Sequence, residues 1–199
     1  MAIAPIHPAP PVAAAEGVRQ VHAVLDRVEP VEELSGYAAS SVIADLDKAV
    51  TRMQALKLSL VAVVDKSDVA ADAGMTGTAA WLAARSRRDG ASAAREVRLA
   101  TALDGGLAAT RAALREGDLT PEHALVIATT AEQLPTGLDS AERAAIEQSL
   151  VAVAKRVDPA ALRRKARRAL EAAQRSRAEV DAHEDAVLRG EEEHALAAT

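Results

Sequence analysis

Between Tyr37 and Ala71 the apolar residues Leu46, Ala49, Met53, Leu56, Leu60 and Val63 recur in alternating steps of three and four. An α-helix turns once in about 3.6 residues, so this spacing holds one stripe of side chains on one side: the a/d seam of a helix that packs lengthwise against another helix. Val42, Ile43, Val50, Val61 and Val64 widen the apolar surface, while Asp45, Lys48, Arg52 and Lys57 fall at the polar positions. The pattern predicts one long helix over 37–71, buried on more than one side.

The rest of the chain breaks into shorter helical stretches, with Gly and Pro at the joints. Val18, Val21 and Leu25 give helical spacing over 14–28, closed by Pro30. Gly74 and Gly77 end the long pattern, and Thr78 is placed to cap a short helix running to Arg85. Asp89-Gly90 marks a turn, and Ser92 is placed to cap a helix over 93–103. Gly105-Gly106 breaks that helix, and a short one over 107–115 stops at Gly117. Thr120-Pro121-Glu122 is a helix start: cap, proline at the first position, acid in the first turn. Pro135 and Gly137 end that helix. Asp139-Ser140-Ala141-Glu142 resembles a capping box opening a helix to about Val157, and Asp158-Pro159 opens another that continues past Ala178. No stretch alternates apolar and polar residues long enough for a strand. The fold class that follows is all-α: a multi-helix bundle with one long central helix, several short helices and a long C-terminal helix. Trp81 and Tyr37 are the only aromatics. Such a core is made mainly of Ala, Leu and Val, and gains from close helix contact rather than a few large anchors.

Residues 1–13, with Pro5, Pro8, Pro10 and Pro11, read as a disordered Pro-rich tail without the basic start of a secretory signal. Residues 14–178 read as a helical domain and 179–199 as an acidic tail, helical or disordered. The chain has no cysteine, which excludes disulfides and thiolate metal sites and fits a reducing compartment. No uncharged apolar run has membrane-spanning length, so a cytoplasmic protein is expected. The net charge of −5 argues against a strongly basic nucleic-acid binder, but the charge is unevenly spread. From Lys155 to Arg177, nine cationic residues face only Asp158 and Glu171. From Ala178 to Thr199, seven carboxylates face only Arg189, offering counter-charge in the same chain or in a neighbour.

Two constellations are candidates for binding. Short helix, turn and second helix over about 78–103 form the skeleton of a helix-turn-helix, whose second helix enters the major groove. Ser92, Arg95 and Arg98 would face bases, and Arg85, Arg87 and Arg88 would meet phosphates. A plain helical hairpin with a solvated arginine face is the alternative. Arg163, Arg164, Lys165, Arg167 and Arg168 could hold a phosphate backbone, although they go most of the way round a helix, as in a solvated one. Trp81 is expected to anchor the core, and His123, at a helix start, to pack or hydrogen-bond. No histidines pair at metal-ligand spacing, and no nucleophile, P-loop or dinucleotide motif is present. Hence no catalytic residues, no metal and no cofactor are expected.

Gly77-Thr78-Ala79-Ala80-Trp81-Leu82-Ala83-Ala84-Arg85, Ala94–Ala100, Gly117–Ala124 and Asp158–Arg163 carry a resemblance over about 34–170. The chain resembles the N-terminal helical domain of unknown function (family 222) of the 13E12 repeat, HNH-endonuclease-containing proteins. Gly117–Ala124 is also similar to the stretch after the helix-turn-helix in ParB-type partition proteins. The first resemblance implies relatives that often carry a metal-dependent HNH nuclease module further along, built around a histidine base and metal-binding histidines. This chain contains no such cluster, so nuclease activity is not carried over and its being an enzyme stays open. Three readings follow. One is a non-catalytic module associated with duplex DNA or a nuclease module. Another is a self-associating assembly protein using the long helix. The third is the N-terminal fragment of an HNH endonuclease.

Overall fold

The computed structural model describes the backbone of residues 13–32 and 34–197, with side chains over that span except residue 181 and residues 184–197. Residues 1–12 of the Pro-rich tail lie outside it. The chain is all-α: the described residues form nine helices and no strand. It divides into two compact units, residues 1–43 and 44–199.

The first unit holds α1 (Ala14–Leu25) and the opening turns of α2 (Gly36–Asp65). α1 buries no residue, and Val18, Val24 and Leu25 are exposed.

The second unit continues α2 and adds α3 (Val69–Asp72), α4 (Thr78–Ser86), α5 (Gly90–Asp104), α6 (Ala108–Glu116), α7 (Pro121–Glu132), α8 (Ser140–Ala154) and α9 (Pro159–Ala197). α7 packs against α5, α6, α8 and α9. It buries Ala124, Val126, Ile127, Ala128 and Thr130, so residues on most sides of this short helix are inside. Ala55, Ala93, Ala100, Ala113, Ala154 and Ala166 line the same core. Their small side chains let helices approach closely, and Leu114, Leu119, Ile127 and Leu162 fill the remaining space. Each such large side chain, fully removed from water, contributes about 1.5–3 kcal/mol.

The expected long helix ends earlier than its pattern: Asp65 closes α2, and a short break precedes α3. It also buries one face instead of more than one. Thr51, Ala55, Leu58, Val61 and Ala62 are inside, whereas Leu46, Ala49, Met53, Leu56, Leu60 and Val63 are exposed. The stripe chosen inward is the one with the smaller side chains. α2 is tied to α5 by Lys57–Glu96 (2.6 Å), by the Thr101 hydroxyl donating to Asp65 (3.0 Å), and by Lys66–Asp104.

Local capping sets the remaining joints. Gly117, at φ +75°, ends α6, and a Cβ there would lie 2.6 Å from Lys48 Cγ and 3.0 Å from the Lys48 carbonyl oxygen. Only glycine meets both the left-handed backbone and this approach to α2. Asp139 accepts from the Glu142 N–H (2.8 Å) and Glu142 from the Asp139 N–H (2.9 Å), completing the expected capping box. Thr120 precedes Pro121 at the start of α7 as expected. Two other caps sit elsewhere than expected. Gly77 rather than Thr78 precedes α4, and Thr78 is buried in its first turn. Asp89 rather than Ser92 caps α5, its carboxylate accepting from the Ser92 N–H at 2.7 Å. With α5 beginning at Gly90, Ser92 is the third residue of the helix, so its own N–H is one that the cap must satisfy.

Candidate functional site

α4 and α5 are joined by Arg87, Arg88 and Asp89. Arg87 takes the left-handed conformation (φ 52°), the one non-glycine residue to do so among the described residues. This lets the chain reverse tightly, and the Arg88 N–H returns to the Ala83 carbonyl at 3.1 Å. The skeleton of two short helices and a tight turn is therefore present. Its side chains are disposed differently from the sequence expectation.

Arg88 does not project outward alone. Its guanidinium donates to Ser92 Oγ (2.7 Å) and pairs with Glu96. The Glu96 side chain is only 13% exposed and also receives Lys57 from α2. Arg88, Ser92, Glu96 and Lys57 are thus used to lock the turn onto α5 and α5 onto α2. Arg85 lies over the half-buried Trp81 ring, 5.6 Å from its centroid, within the range of a cation–π contact. Trp81 packs against the core, as expected. Arg98 Nε is 3.9 Å from Glu132 Oε1, too long for a hydrogen bond and exposed on both sides. The side chains of Arg87 and Arg95 are exposed and make no hydrogen bond or ion pair among the described residues.

The basic stretch of α9 is arranged otherwise. Asp158 accepts from the N–H groups of Ala160 and Ala161, both at 2.8 Å, and starts the helix. The Ala161 N–H, then that of Ala160, and the nearby Arg164 charge hold its carboxyl below the usual range. Leu162 and Ala166, four residues apart, are buried against the rest of the unit. Arg163, Arg164, Lys165, Arg167 and Arg168 are all exposed, and none comes within ion-pair distance of a carboxylate among the described residues. α9 runs unbroken for 39 residues, about 58 Å, so its acidic end cannot fold back on this stretch within the same helix.

Several residues outside the expected set organise the same region. A cleft of about 300 Å³ lies between α2, α5 and the start of α7. Leu58, Leu99 and Leu125 contribute apolar surface, and Lys57, Arg88 and Arg95 are balanced by Glu96 and Glu122. The Thr120 hydroxyl holds Glu122 below the usual carboxylate range. His123 is buried, with Nδ1 accepting from the Thr120 N–H (3.3 Å) and Nε2 facing the Val157 carbonyl oxygen (2.8 Å). A carbonyl can only accept, so Nε2 is the donor to Val157. Glu147 is buried and accepts from the Thr110 N–H (2.7 Å) and hydroxyl (2.8 Å), capping the first turn of α6. Glu96 and Glu147 carry no sequence signal, because their partners lie 39 and 37 residues away. Among the described residues no three His, Asp or Glu side chains come together as a metal site, and no helix is long and apolar enough to cross a membrane.

Among the stretches carrying the family resemblance, Gly117–Ala124 forms the joint between α6 and α7. Gly117 makes the close turn, Asp118 pairs with Lys155 at 2.7 Å, Leu119 and Ala124 are fully buried, and His123 reaches the α8–α9 connection. The profile of a family described as a domain of unknown function (DUF222) matches residues 40–194. No curated protein and no solved structure matches the chain.

Proposed function

The chain belongs to the DUF222 family, a domain of unknown function, and we propose that it is a non-catalytic helical module that meets duplex DNA through the basic stretch of α9. The observation that carries this reading is the display of Arg163, Arg164, Lys165, Arg167 and Arg168: exposed, close together, and held in no ion pair among the described residues. Cations in that state have condensed counterions to displace from a phosphate backbone, whereas cations already paired do not. The helix-turn-helix reading of 78–103 recedes beside it, since Arg88 and Ser92 are spent on Glu96 and on each other. Arg87, Arg95 and Arg98 remain as auxiliary phosphate contacts. A nuclease module is the partner that the family resemblance favours, in a cytoplasmic setting.

The test is fluorescence anisotropy with a labelled duplex at about 50 and 200 mM salt. The expected outcome is binding at the lower concentration that weakens at least tenfold at the higher. Absence of binding at the lower concentration overturns the reading. A second reading, an assembly module, is favoured by the apolar side chains on the outer face of α2.

A further inference from the structure

α2 is apolar on two opposite sides. At about 100° per residue, the buried stripe Thr51, Ala55, Leu58 and Ala62 and the outer stripe Leu46, Ala49, Met53, Leu56, Leu60 and Val63 point roughly half a turn apart. The outer stripe is not marginal: Leu46 is 51% exposed, Leu60 45% and Val63 66%. Its residues lie in the second unit, whose remaining helices occupy the other side of α2. A continuous apolar seam of this kind on a monomer marks an interaction surface.

We propose that this seam is occupied by the same seam of a second copy, with the two α2 helices antiparallel about a two-fold axis passing between residues 54 and 55. This goes beyond DNA binding and does not depend on it. The register follows from the sequence positions. In an antiparallel pair an a position faces a d position, so Leu46 meets Val63 of the second copy, Ala49 meets Leu60, and Met53 meets Leu56. All six seam positions find a partner, and the small Ala49 receives a leucine. A parallel, in-register pair stacks Ala49 on Ala49, leaving a void, and places Arg52 beside Lys57 of the second copy. The antiparallel pair puts Arg52 beside the neutral Ser59 of the other copy instead. Size and charge both select the antiparallel arrangement. The seam spans seventeen residue steps, about 26 Å of helix.

Light scattering and sedimentation of the full chain over a wide concentration range test the association. The expected result is a dimer that Met53→Glu with Leu56→Glu weakens by more than about a hundredfold, since the pair would bury four unpaired carboxylates. Both positions are exposed in the single chain, so the circular dichroism of the variant stays as in the wild type, and the two Tm values agree at concentrations where both are monomers. A wild-type monomer up to millimolar concentration overturns the proposal, whether the seam is bare or covered by a segment of the same chain. A dimer indifferent to the double substitution also overturns it, placing the interface elsewhere. Orientation is read by disulfide trapping, which is clean because the chain has no cysteine of its own. Leu46→Cys with Val63→Cys forms a covalent dimer in the antiparallel register, and Leu46→Cys alone does not. The reverse result overturns the register.

Discussion

Two clusters of cations stand in this chain, and their surroundings separate them. At the α4–α5 turn, Arg88 meets Glu96 and Ser92, Arg85 rests on Trp81, and Arg98 approaches Glu132. On α9, five cations project between and around Leu162 and Ala166, and none forms an ion pair among the described residues. The first cluster holds helices together. The second is held by helices. The same residue type is a strut in one place and, on the proposed reading, a contact surface in the other, and the neighbouring carboxylates decide which.

The comparison breaks most visibly in DNA binding. Replacing Arg163, Arg164, Arg167 and Arg168 by Gln is expected to lower duplex affinity by about two orders of magnitude or more at low salt and to flatten the salt dependence. Tm should not change. Arg87→Gln with Arg95→Gln should cost far less affinity. If that pair costs more, the two regions exchange roles. Next in size is the anchoring of α9: Leu162→Ala is expected to destabilise the fold by about 2–4 kcal/mol in urea unfolding, through a cavity under the basic stretch. Smaller is Glu96→Ala, expected to cost about 1 kcal/mol, because Lys57 and Arg88 lose their shared partner but can turn to water. If Tm is unaffected, the α4–α5 turn is not braced in this way. The smallest effect is acid sensitivity. Lys66 holds Asp104, Lys155 holds Asp118, and the Ala161 and Ala160 N–H groups hold Asp158 below the usual carboxylate range. Carboxyls depressed in the folded chain add stability that is present above their unfolded value, about pH 4, and is lost as pH falls through the folded values. Tm is therefore expected to stay level from neutral pH to about 5 and to drop below about 4.

The helix class and most joints were legible because the signals are local. Thr120-Pro121, Asp139 with Glu142, and Asp158-Pro159 each place an oxygen within one turn of the N–H groups it serves. The cap of α5 was misplaced by three residues because Asp89 and Ser92 both suit the role, and only geometry shows whose oxygen arrives. The inner face of α2 was hidden by its own outer face: the larger side chains draw attention to Leu46–Val63, while Thr51, Ala55 and Ala62 make the close approach. The fate of Arg88 could not be read, because Glu96 looks like any other acid on a helix until Lys57 is brought to it from α2.

The unbroken course of α9 bears on how large a footprint its basic stretch could leave. Positive residues occupy the helix up to Arg177 and acids follow from Glu179. A rod so divided attracts a phosphate strand along roughly its first half and repels it along the rest. From Arg163 to Arg177 is fourteen steps, about 21 Å, so one copy alone would cover only about half a turn of duplex.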